Sequence, residues 1–195
     1  MKKTKNSLKI TAILCVFFFL LSCDYTVGTD DKSGVVLTVT RIVGVDALGN
    51  DADYLASDVE TGGIPGFGGY LTDPIVITLE AKLKKPETII PGASYKTSVM
   101  IDRYTITYTG PEGDPVPAAF EGRLAVVCEV DASVDLEIVA VRAEAKVIPP
   151  LSDLDGTLNV IWAVAEIRIM GHDLDGNGVE ATGYITVYFA DWADS

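Results

Sequence analysis

The chain has 195 residues, with 15 Lys and Arg against 28 Asp and Glu and a formal charge of −13, a field that repels phosphate backbones and turns the reading away from nucleic acid. The three cysteines and one histidine are not clustered, so the close ligand pairs of a zinc site are missing, and three cysteines are too few for a disulfide framework. A domain of this length buries a core of its own and needs neither staple for stability.

Lys2, Lys3, Lys5 and Lys9 precede an apolar run over 10–21, the basic-then-apolar order of a secretory signal. The run has about twelve residues, short of the roughly 20 that a helix needs to cross a bilayer, so it reads as a removable signal. It ends in Leu20-Leu21-Ser22-Cys23, which resembles the lipobox of bacterial lipoproteins. The resemblance covers the N-terminus alone. It implies cleavage before Cys23, a diacylglyceryl group on its sulfur and acylation of the new amine. Residues 1–22 are then signal, and two or three acyl chains hold the mature protein on a membrane it does not cross. The implied location is the extracytoplasmic side of the bacterial envelope. Asp24 resembles the inner-membrane retention signal of enteric bacteria, but inner and outer membrane both stay open. Losing four lysines and no acid leaves 173 residues with 11 basic and 28 acidic side chains, a charge of −17.

Residues 23–34 are polar after Cys23 and read as a lipidated tether with a reach of roughly 18 Å. From residue 35 to the end the signal is period two, the pattern of strands with one apolar and one polar face. Strands are expected at 35–43, 75–84, 99–109, 123–130, 134–147 (one bent strand or two), 158–170 and 184–189. No amphipathic helix is expected. Turn residues separate the strands at 111–115, at Pro149-Pro150 and at 175–178. Between the first two strands, 44–73 is rich in Gly and Asp and reads as a long connection. Its Tyr54, Phe67 and Tyr70 are candidate stacking faces for a sugar or a partner.

Seven to eight strands with short turns predict an all-β fold, an antiparallel β-sandwich over 35–195. The pattern resembles immunoglobulin-like and fibronectin-type modules, most clearly in the final hairpin. It departs from true immunoglobulin domains in lacking paired inter-sheet cysteines, so no site carries over.

One loop carries a more specific motif. Asp173-Leu174-Asp175-Gly176-Asn177-Gly178 has oxygen ligands at positions 1, 3 and 5 and glycine at position 6 of an EF-hand-like loop, but Tyr184 stands at position 12, where a bidentate Glu is needed. Two readings stay open. One is a tight hairpin turn. The other is a looser calcium site formed by Asp173, Asp175 and Asn177, completed by Glu180 or Asp51. Asp153-Leu154-Asp155-Gly156 repeats the motif, but a strand between the two, roughly 43 Å long, keeps them from sharing an ion. Cys128 falls in an apolar alternation and reads as core. His172 adjoins the turn and reads as a surface side chain. No nucleophile elbow, HExxH or clustered Cys/His supplies a catalytic apparatus, and no cofactor is expected apart from the calcium alternative.

The sequence thus describes a lipid-anchored, non-enzymatic interaction or structural module with an envelope protein or glycan as partner. The alternative is a ligand-binding module for calcium or carbohydrate.

Overall fold

The computed structural model describes residues 33–59, 70–85, 98–112 and 114–192. Cys23, the signal and Phe67 lie outside them. Among the described residues there are nine strands: β1 (Val35–Val45), β2 (Asp51–Ala52), β3 (Tyr54–Asp58), β4 (Asp73–Leu83), β5 (Ser98–Thr109), β6 (Phe120–Glu129), β7 (Ser133–Val141), β8 (Ile161–Asp173) and β9 (Gly178–Ala190). They form two sheets, ordered β2-β1-β4-β7 and β3-β9-β8-β5-β6. This is the expected β-sandwich. Strands β1, β4 and β7 stand as A, B and E, and β9, β8, β5 and β6 as G, F, C and C′, of the immunoglobulin-like layout.

Alternation fills the space between the sheets. Ile75, Ile77, Leu79 and Ala81 of β4 are buried, and they face Ala163, Ala165, Ile167 and Ile169 of β8 and Ile185, Val187 and Phe189 of β9. In β5 the buried positions are Val99 and Ile101, then Tyr104, Ile106 and Tyr108. The phase slips by one residue because a bulge at Asp102 shifts the register on both neighbouring strands. Tyr108 spans the core, donating its hydroxyl to the carbonyl of Ala140 on β7 in the opposite sheet. Its ring meets Phe189 edge-on, with centroids 5.8 Å apart. Cys128 is buried in the core, where burial pushes its thiol up.

Four expectations need correction. The stretch 44–73 is not a structureless connection, because it contains β2 and β3, and β3 pairs parallel with β9 over Tyr54–Asp58. Its five residues show no clean alternation, since Leu55, Ala56 and Ser57 are all buried, so period two could not reveal it. The expected strand 134–147 stops at Val141 and gives way to a one-turn helix, α1 (Ala143–Lys146), which crosses from one sheet toward the other. The strand count is nine rather than seven or eight. Ser33 and Gly34, expected in the tether, belong to the domain. The Ser33 hydroxyl accepts from the Val35 N–H at 3.1 Å, and the Gly34 carbonyl from the Lys84 N–H at 2.9 Å.

Candidate functional site

The loop of Asp173, Asp175 and Asn177 closes the β8–β9 hairpin. Asp173 is buried, and its Oδ1 accepts from the backbone N–H of Asp175 at 3.0 Å and of Asn177 at 2.9 Å, and from the Asn177 amide at 3.2 Å. Its Oδ2 accepts from the same amide at 3.2 Å. The Asp173 N–H in turn donates to the Asn177 carbonyl at 2.9 Å, and Gly176 takes φ +83°. This is a three-residue hairpin loop with glycine at the left-handed position.

The same loop occurs a second time, unannounced by any repeat in the strands around it. Asp46-Ala47-Leu48-Gly49-Asn50 links β1 to β2, and Asp46 Oδ1 accepts from the N–H groups of Leu48 and Asn50, each at 2.8 Å, with the Asn50 amide reaching both carboxylate oxygens. Gly49 takes φ +81°. Here the third position is Leu48, which offers no oxygen. The Asp, Gly and Asn therefore build the turn by themselves, and apart from the Ser33 hydroxyl every bond around Asp173 belongs to the turn. The two carboxylates named to complete a calcium shell are engaged or distant. Glu180 is held by Arg168 through three contacts of 2.8–3.0 Å, and Asp51 pairs with Val45, at the opposite end of β1 from Ser33.

Burial pushes the Asp173 carboxyl up, but the Asn177 backbone and amide, the Ser33 hydroxyl and the Asp175 N–H outweigh it and hold the group below its ordinary 3.8. His172, beside the turn, is about half exposed, with Nδ1 3.4 Å from Asp102 Oδ2.

A buried polar cluster joins both sheets to the α1 crossover. Lys146 is 0 % exposed, and its Nζ lies 2.9 Å from Asp73 Oδ1 at the start of β4. Ser57 of β3 donates to Asp73 Oδ2 at 2.5 Å. Ser, Lys and Asp are residue types of acyl-transfer sites, but Ser57 and Lys146 are fully enclosed and each spends its bond on Asp73. Burial raises the Asp73 carboxyl, against the pull of Lys146 and the Ser57 hydroxyl. The cluster is a clamp within the sandwich.

The accessible feature is the outer face of the five-stranded sheet. Tyr54, expected in a loop, lies on β3 and meets Tyr188 of β9 edge-on, with centroids 5.6 Å apart. Tyr188 pairs across the ladder with Trp162 of β8, and four residues along β9 Tyr184 pairs with Glu166, its hydroxyl 3.4 Å from Oε2. Trp162, Tyr184 and Tyr188 are 46, 61 and 37 % exposed. Thr186 lies between the tyrosines, beside Tyr54 and Val164. Tyr70 is also exposed, but no ring contact among the described residues joins it to this row.

No protein-family model and no curated protein matches this sequence. The function therefore has to be read from the site.

As stacking faces, Tyr54 is expected from the sequence and the other three rings are not. Their signal was present in Tyr184-Ile185-Thr186-Val187-Tyr188-Phe189, where the positions opposite the core are taken by tyrosine and threonine instead of charge. What the alternation could not supply was the neighbouring strand. Trp162 joins the row through antiparallel register and Tyr54 through a parallel pairing from a segment that showed no periodicity.

The row also has a definite place on the molecule. The chain enters at Ser33, which bonds Asp173 at the far end of β8. Trp162 stands eleven residues from Asp173 along that strand, roughly 36 Å at about 3.3 Å per residue. Trp162 and Tyr188 stand at the opposite end of the sandwich from the entry, and the row runs from there to Tyr184 at the middle of β9.

Proposed function

We propose that this protein is a bacterial envelope lipoprotein, anchored through Cys23 on the extracytoplasmic side of a membrane, whose β-sandwich is a non-enzymatic interaction module. The observation that carries this reading is the exposed aromatic row on the five-stranded sheet, which runs from Tyr184 at mid-sheet to Trp162 at the end remote from Ser33. Trp and Tyr supply large contact area at low entropic cost, and such side chains dominate binding energy where interfaces have been mapped. An anchor at one end and a contact surface at the other suit a domain that presents a face outward from its membrane. The tether fixes the protein in place without fixing its orientation, so the face can search for a partner within its reach. The mature charge of −17 keeps the domain off anionic lipid head groups.

The anchor and the face are tested separately. Mass spectrometry of the native N-terminus is expected to show acylated Cys23, and Cys23→Ser is expected to abolish it. An unmodified Cys23 or cleavage elsewhere overturns the anchoring. After mild crosslinking in cells, co-purified material is expected to fall at least about tenfold in Trp162→Ala with Tyr188→Ala, the size of loss that truncating a central aromatic contact brings. Unchanged co-purification overturns the face.

A further inference from the structure

We infer that the occupant of the aromatic row is a neutral glycan, which stacks sugar rings on Trp162, Tyr188, Tyr54 and Tyr184 and hydrogen-bonds its hydroxyls to Glu166 and Thr186. The inference rests on the interaction-module reading and adds the chemistry of the partner. Three properties of the face choose it.

The first is charge. The mature chain carries −17 and the row itself includes the Glu166 carboxylate, so an anionic polymer, nucleic acid or anionic lipid surface is repelled. Arg168, the nearest cation on β8, is already bound in a forked pair by Glu180.

The second is the mixing of apolar and polar groups within one ladder. Glu166 stands beside Tyr184, and Thr186 lies between Tyr184 and Tyr188. A continuous apolar protein surface pressed on this row would strip water from the carboxylate and the hydroxyl, leaving the carboxylate only its 3.4 Å contact with the Tyr184 hydroxyl. A sugar ring has apolar C–H faces and a hydroxyl rim, so it covers the rings and satisfies the polar groups together.

The third is position. Trp162 and Tyr188 stand roughly 36 Å along β8 from the end at which the chain enters, and Glu166 and Tyr184 roughly 23 Å, so the whole row is held away from the point at which the chain is tied.

The test uses the lipidated full-length mature protein in a detergent without a sugar head group. It is titrated calorimetrically with a panel of neutral glucan, chitin, mannan and xylan hexasaccharides. Binding by at least one of them is expected, weakened about tenfold or more by Trp162→Ala and by Tyr188→Ala, and unchanged by Val36→Ala on the other sheet. It is also expected to hold between about 0.05 and 0.5 M salt, because the ligand has no charge to screen. A silent panel, or binding that survives Trp162→Ala, overturns the glycan inference. If the panel is silent while cellular crosslinks still depend on Trp162 and Tyr188, the partner is a polypeptide and the interaction module stands. If both are silent, both readings fall.

Discussion

Asp173 and Asp46 show how one side chain can fix a turn. Each carboxylate gathers two backbone N–H groups and an asparagine amide, and in each loop the glycine three residues after the aspartate takes positive φ. The motif Asp-x-x-Gly-Asn occurs at both places in the sequence, yet only the copy with a second aspartate resembled a metal loop. Because Leu48 occupies the place of Asp175, Asp175→Leu should change stability by no more than about 0.5 kcal/mol. Gly176→Val, which forces a branched residue to φ +83°, should cost about 1–3 kcal/mol. Added calcium should leave the melting temperature unchanged, whereas ligation at 100 times the dissociation constant would add about 2.7 kcal/mol. The pH dependence has a definite sign. The folded Asp173 carboxyl lies below 3.8, so its contribution is present above that value and is lost as pH falls through the folded value. Asp173→Asn keeps an acceptor oxygen but loses the charge, so its stability deficit relative to the native protein should be full near neutral pH and shrink in acid. Denaturant midpoints from pH 2 to 7 measure this, and a deficit that is constant over the range contradicts it.

At the scale of elements, the long alternating strands were legible and the short or irregular ones were not. Residues 75–84 were expected as a strand and form β4 at Asp73–Leu83, because an 11-residue strand with one buried face writes its period plainly. The bulge in β5 is also written in the sequence as a phase slip, with Val99 and Ile101 on one parity and Tyr104, Ile106 and Tyr108 on the other, all of them buried. β3 left no periodic trace, since its central residues are buried on both faces and its pairing with β9 is parallel and distant in sequence. Helix α1 is a single turn, too short for helical period to appear. What holds it is Lys146, and a lysine with no exposure is not something composition foretells. Removing one partner of a buried pair leaves the other unpaired, so Lys146→Met should cost about 3–5 kcal/mol at neutral pH. Asp73 sits above its ordinary 3.8 even with Lys146 present, so its neutral form favours the fold below that value and the advantage is lost as pH rises through the folded value. Without Lys146 that loss should steepen, and the variant should recover part of its deficit in mild acid. Chemical unfolding at pH 4 and pH 7 checks the pair, and an equal deficit at both would count against the clamp.

For the whole molecule, the sequence announces a β-sandwich, and the structure adds a polarity between two ends. The chain enters beside the Asp173 turn, and the exposed rings run from Tyr184 at the middle of β9 to Tyr188 and Trp162 at the far end. Neither fact is available from alternation alone, because both depend on which strands lie side by side. An anchored domain with a contact face on one sheet should be approached from that face and not from the other. The most direct measurement places a photoreactive residue at Tyr184, on the aromatic row, and at Thr38, exposed on the outer face of the four-stranded sheet, and irradiates intact cells expressing the full chain. Adducts are expected at position 184, diminished by Trp162→Ala, with position 38 silent. Equal labelling at the two positions, or labelling at 184 that ignores Trp162→Ala, would contradict the assignment of this face as the one that meets the partner.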